Sequence, residues 1–107
     1  MMIYFISRHK GALEWAQRNG FENAEVIAHF DPSVVRGGDI VIGTLPVHLA
    51  GQVCGKGGRY FHLSMSVPAD RRGTEISADD MDEFGACLQE FRVVPTGDYK
   101  SLESLKK

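Results

Sequence analysis

Asp39-Ile40-Val41-Ile42-Gly43-Thr44-Leu45-Pro46-Val47-His48 is the stretch that decides the fold. Its first five residues are β-branched and almost wholly apolar, which is the pattern of a parallel strand covered on both faces. Such a strand requires helices on each side of its sheet. Thr44-Leu45-Pro46 then leads straight into a helix, because a proline in the first turn forfeits no hydrogen bond. That helix runs to about Cys54 and stops at the breaker Gly55-Lys56-Gly57-Gly58.

Upstream, residues 3–7 form a short apolar strand ending in Arg8-His9-Lys10-Gly11, and a helix over residues 12–19 follows with Gly20 as its C-terminal cap. Residues 24–30 read as a second strand closed by the turn Asp31-Pro32. Downstream, residues 59–66 alternate, with Phe61, Leu63 and Met65 on one face and Tyr60, His62, Ser64 and Ser66 on the other. Residues 67–76 make a polar loop long enough to be functional. Ser77 and Asp80 resemble a capping box, and Met81, Phe84, Leu88 and Phe91 mark one face of a last helix. The order β-α-β-β-α-β-α predicts a three-layer, Rossmann-like α/β fold around a mainly parallel sheet. It fills one domain over residues 1–94, followed by a polar tail, residues 95–107, whose composition permits disorder.

The chain has 107 residues, 43% of them hydrophobic and 24% charged, as in an ordinary soluble domain with a thin core. No apolar run is long enough to cross a membrane and no signal-peptide core is present, so a cytoplasmic protein is expected. A net charge of −2 argues against coating long nucleic acid, which calls for a broad basic face. Local basic clusters at residues 8–10 and 71–72 leave room for a ligand with few phosphates. Cys54 and Cys87 form no Cys-x-x-Cys pair and read as reduced core residues in helix-like stretches.

Ligands of open α/β sheets bind beyond the carboxyl ends of the strands, so the loops after strands are searched first. Ser7-Arg8-His9-Lys10 stands before a helix N-terminus, where free N–H groups and the dipole favour an anion. Arg8 can fork onto a phosphate, Lys10 adds a point charge and His9 can move a proton near neutral pH. A solvated basic turn is the plain alternative. In the second loop Gly43 admits close backbone approach, Thr44 offers a hydroxyl, and His48 shares a helix face with Gln52, pointing at the same crevice or simply exposed. Ser64 and Ser66 end the fourth strand, and Arg71 lies in the long loop beyond, either closing the site or lying on a mobile surface.

Neither a Gly-x-Gly-x-x-Gly, a Walker-type loop, a Gly-x-Ser-x-Gly elbow nor metal-ligand spacing among the histidines is present, so no cofactor and no metal are expected. The acidic group Asp79, Asp80, Asp82 and Glu83 falls in the first turns of a helix, where carboxylates stabilise the dipole.

Taken together, Tyr4-Phe5-Ile6-Ser7-Arg8-His9, Gly11-Ala12-Leu13-Glu14-Trp15-Ala16, residues 39–50 with Gly43-Thr44-Leu45-Pro46-Val47-His48, and Ser77-Ala78-Asp79-Asp80 resemble the small CRISPR-associated accessory family numbered sixteen in the Csx series. The resemblance covers roughly residues 2–92. It implies a type III CRISPR neighbour, a fold related to the Rossmann-like CARF domains, and a ring nuclease that degrades cyclic tetra-adenylate. Carried over by position, it implies Ser7, Arg8, His9, Thr44 and His48 as ligand-handling residues. Where the family often has proline this chain has Lys10, so a role for Lys10 does not come from the resemblance.

With no metal ligands in view, the expected chemistry is attack by a ribose 2′-hydroxyl on its neighbouring phosphate, leaving a 2′,3′-cyclic phosphate. Arg8 would stabilise charge and His9 supply an acid or base. The same residues would serve a sponge that binds without cutting, and a subunit docking on a larger CRISPR protein is a further alternative. A homodimer is expected, because a two-fold axis suits a ring of near four-fold symmetry, with Met65, Val67 and the second helix as interface sources.

Overall fold

The computed structural model describes residues 1–97 and 100–106. Five strands form one sheet in the order β2-β1-β3-β4-β5. These are β1 (Ile3–Ile6), β2 (Glu25–Ile27), β3 (Ile40–Gly43), β4 (Arg59–Ser64) and β5 (Cys87–Phe91). The first four run parallel and β5 is antiparallel to β4. Helices α1 (Gly11–Arg18) and α2 (Val47–Gly55) follow β1 and β3, and α3 (Ala78–Glu83) follows β4. Among the described residues no helix is long and apolar enough to cross a membrane.

The sheet carries a separate core on each face. Phe5, Ile42 and Leu63 pack with Trp15 of α1 and Met81 of α3 on one side. Tyr4, Val41 and Tyr60 pack with Ala50 and Val53 of α2 on the other. The period-two alternation of each strand feeds both layers, which is why β3 needs apolar residues at consecutive positions. The expected three layers are present. Asp39 joins the chain's start to β3: its buried carboxylate accepts N–H bonds from Met2 and Arg36, each 2.9 Å. Those donors hold its pKa below the ordinary carboxylate range.

The end of the chain departs from expectation. Residues 87–91, read as part of the last helix, are the fifth strand, so the order is β-α-β-β-α-β-α-β with a further short helix, α4 (Leu102–Leu105). Gly85 is the cause. It takes φ +72°, and the Gly85 and Ala86 N–H groups bond back to the carbonyls of Asp82 and Met81 at 3.1 and 2.9 Å. Gly20 and Gly57 stop α1 and α2 with the same pair of bonds. The spacing of Met81, Phe84, Leu88 and Phe91 mimics a helix face, yet Leu88 lies opposite Leu63 and Phe91 opposite Tyr60 across the ladder. Arg59 and Glu90 add a bidentate pair at 2.8 and 2.9 Å.

That strand also moves Cys87. It is exposed on the sheet edge rather than in the core, while Cys54 is half-buried. Part of the polar tail, at residues 98–99 and 107, lies outside the described residues. The capping box holds as read: Ser77 Oγ accepts from the Asp80 N–H and Asp80 Oδ2 from the Ser77 N–H, both at 3.0 Å.

Gly11 lets α1 begin hard against the loop before α3. A Cβ there would stand 2.5 Å from Ala78 N and 2.6 Å from the Ile76 carbonyl oxygen. Backbone cannot swing aside as a flexible side chain does, so Gly11→Ala is expected to cost roughly 2–3 kcal/mol. The check is a urea melt, in which the midpoint falls and the slope stays unchanged.

Candidate functional site

Helix α1 leaves β1 on one face and α2 leaves β3 on the other, so the two loops diverge above neighbouring strands. This is the switch point at which open α/β sheets bind ligands. A cleft of about 580 Å³ opens there. Ser7, Arg8 and His9 come to it from the β1–α1 loop, and Thr44 from the β3–α2 loop. Its floor is apolar, with Ile6, Leu63, Met65 and Met81. Arg8, His9 and His29 are its titratable side chains, and no carboxylate lines it. No hydrogen bond or ion pair among the described residues engages those three side chains.

Each loop is braced from behind. Ser7 Oγ accepts the His9 N–H at 3.1 Å, and the Ser7 N–H continues the ladder to the Ile27 carbonyl at 3.0 Å. In the second loop the buried Tyr60 hydroxyl accepts the Leu45 N–H at 2.9 Å and donates to the Gly43 carbonyl at 3.0 Å. His62 Nδ1 lies 2.6 Å from the same oxygen, so the tautomer protonated on Nδ1 completes the set as a second donor. Burial pushes the Tyr60 phenol above its ordinary pKa, and the Leu45 N–H opposes that shift. Thr44 Oγ1 donates to the Leu63 carbonyl at 2.5 Å, leaving its lone pairs for a ligand's donor.

Several residues expected at the site stand elsewhere. Lys10 does not line the cleft. The anion favoured at the start of α1 is supplied by the chain itself, because Glu75 Oε1 takes the Lys10 N–H at 2.9 Å. At Gly43 the missing Cβ serves the sheet, since one placed there would stand 3.1 Å from Ile6. His48 lies with Gln52, as its helix face requires, but in a separate groove of about 590 Å³ between α2 and residues 93–97. Ser64 and Ser66 do not line the cleft, whereas their neighbours Leu63 and Met65 do. Ser64 Oγ lies 3.4 Å from Cys87 Sγ. Arg71 is bonded to Asp80 at 2.7 Å and stacked 5.6 Å over the Phe84 ring. The side chains not foreseen are His29 and Phe30, because residues 28–30 were assigned to a strand that ends at Ile27. The rule of searching loops after strands would have reached them had the boundary been right.

Among the described residues no group of three or more His, Cys, Asp or Glu is placed to hold a metal ion. Fold and cleft together define an open α/β protein with a cleft lined by Arg8, His9 and His29 at its strand-order reversal. Residues 4–94 match the family described as "Putative CRISPR-associated protein (Cas_VVA1548)". The chain belongs to that family. No curated protein matches it, and no solved structure does.

The Tyr60 hydroxyl is the brace most open to test. Tyr60→Phe leaves the Leu45 N–H and the Gly43 carbonyl without their partner, a loss of about 1–3 kcal/mol. The expected result is a lower denaturant midpoint together with faster hydrogen exchange at the Leu45 amide.

Proposed function

We propose that this protein binds cyclic tetra-adenylate in the cleft between the β1–α1 and β3–α2 loops and cleaves it, acting as a ring nuclease that lowers type III CRISPR signalling. One observation carries the reading. In a chain of net charge −2 the switch-point cleft is lined by Arg8, His9 and His29 and by no carboxylate, which is the chemistry that receives a phosphodiester. Phe30 and Met65 in its lining suit the face of an adenine. Kinship with CARF domains is part of the same proposal, supported by helices on both faces of a mainly parallel sheet. The family's CRISPR association gives such a ligand its context.

The step needs no group that the ring and the chain lack. A ribose 2′-hydroxyl attacks its own 3′-phosphate, the new 2′-O–P bond forms as the P–O5′ bond breaks, and one proton passes from the 2′-oxygen to the 5′-oxygen. The products are a 2′,3′-cyclic phosphate and a free 5′-hydroxyl. Arg8 offsets the charge that grows on the phosphoryl oxygens, and His9 handles a proton. One chain's cleft is open and takes part of the ring, so a homodimer that brings two clefts together completes the site. Light scattering at micromolar concentration, with and without cyclic tetra-adenylate, is expected to give the mass of two chains. A monomer in both states overturns that element.

A sponge that binds without cutting is the second reading. What favours it is that the His9 ring has no orienting hydrogen bond among the described residues, whereas catalytic imidazoles are commonly held by a second group. Incubation with radiolabelled cyclic tetra-adenylate separates the two readings, with cleavage expected to persist in chelator. Arg8→Ala is expected to weaken binding by roughly 1.5–3 kcal/mol, about ten- to a hundredfold, with cleavage falling alongside. Unaltered affinity in Arg8→Ala removes the cleft from consideration.

A further inference from the structure

The β1–β2 ladder pairs Tyr4 with Glu25 and Ile6 with Ile27. Past Ile6 and Ile27 both chains bend, and Arg8, His9 and His29 line one cleft. The Ser7 N–H to Ile27 carbonyl bond, 3.0 Å, keeps the strands together at the point where the loops begin. Arg8 and His9 reach that cleft from the loop after β1 and His29 from the loop after β2, so one phosphate held there can meet side chains of both. His9 and His29 both line the cleft, and neither ring is engaged by another side chain among the described residues.

We propose that His29 is the second proton-transfer group of this site, paired with His9. The inference rests on the cutting reading above. Transesterification moves a proton off the 2′-oxygen and delivers one to the departing 5′-oxygen, at opposite apices of the phosphorus, and a single side chain reaches both poorly. Two imidazoles on adjacent loops divide the work. One, neutral, takes the 2′-hydroxyl proton as the 2′-O–P bond forms; the other, protonated, gives its proton to the 5′-oxygen as the P–O5′ bond breaks. Arg8, which lines the same cleft, faces the phosphoryl oxygens between them. Each turnover leaves the two rings with their protons exchanged, and solvent restores them.

The test uses the full chain with cyclic tetra-adenylate and with a ring carrying sulfur in place of each bridging 5′-oxygen. A 5′-thiolate leaves without being protonated, so sulfur substitution relieves whichever variant has lost the acid. His29→Ala is expected to bind the ordinary ring within a few-fold of the unaltered chain while single-turnover cleavage slows about 10²-fold or more. His9→Ala should behave likewise, and the sulfur ring should restore the rate in one of these two variants. Should the alanine variant melt lower, His29→Gln replaces it. Cleavage by the His29 variant at the unaltered rate, parallel loss of affinity and rate, or rescue of neither variant overturns the pairing while leaving the ring nuclease intact. If the unaltered chain binds but cuts neither ring, the cutting reading falls and the role of His29 falls with it.

Discussion

Strand β3 has no wet face, and most of the architecture follows from that constraint. Val41 and Ile42 are consecutive and buried to within 1%, so each must find a layer of its own. Helix α2 covers one side and α1 with α3 the other. Because the helices leave β1 and β3 in opposite directions, the loops at those strand ends part instead of packing together, and a cleft results. The Tyr60 hydroxyl then fixes one wall by satisfying Gly43 and Leu45 at once. Core packing and site geometry are thus two consequences of one demand for burial.

The electrostatics of the cleft come as much from where carboxylates are used as from where bases are placed. Asp39 is spent on backbone N–H groups, Glu90 on Arg59, and Asp79 and Asp82 on Arg18. Asp80 accepts the Ser77 N–H and pairs with Arg71, which together hold its pKa below the ordinary range. Glu75 answers the dipole of α1. What remains at the switch point is basic, although the chain as a whole carries a net charge of −2. Whole-chain charge therefore excludes little about a site whose acids are committed elsewhere.

Legibility varied with the physics of each signal. Residues 7–9 and 44 were readable because a loop between a strand and a helix must present its backbone and side chains at the sheet's rim. Ser64 and Ser66 were not, because alternation separates their face from that of Leu63 and Met65 without saying which face meets the cleft. Arg71 looked free in the sequence, but its partner Asp80 arrives through the fold of the intervening loop. His29 was hidden by a strand boundary set too late. Edge strands such as β2 are short, and composition alone marks their ends weakly.

By itself the sequence determined the buried parallel strand, the helices beside it, their glycine stops and the Ser77–Asp80 cap, because all of these are local matters of periodicity, φ preference and hydrogen-bond partners a few residues apart. It did not determine β5. Met81, Phe84, Leu88 and Phe91 satisfy a helical period, and only pairing with β4 makes residues 87–91 extended. Nor did it determine that His29 joins Arg8, His9 and Thr44 in one cleft while His48, Ser64, Ser66 and Arg71 stay out of it. Arg8, His9, His29 and Thr44 meet through strand order and register, and those are set by which faces the whole chain can bury together.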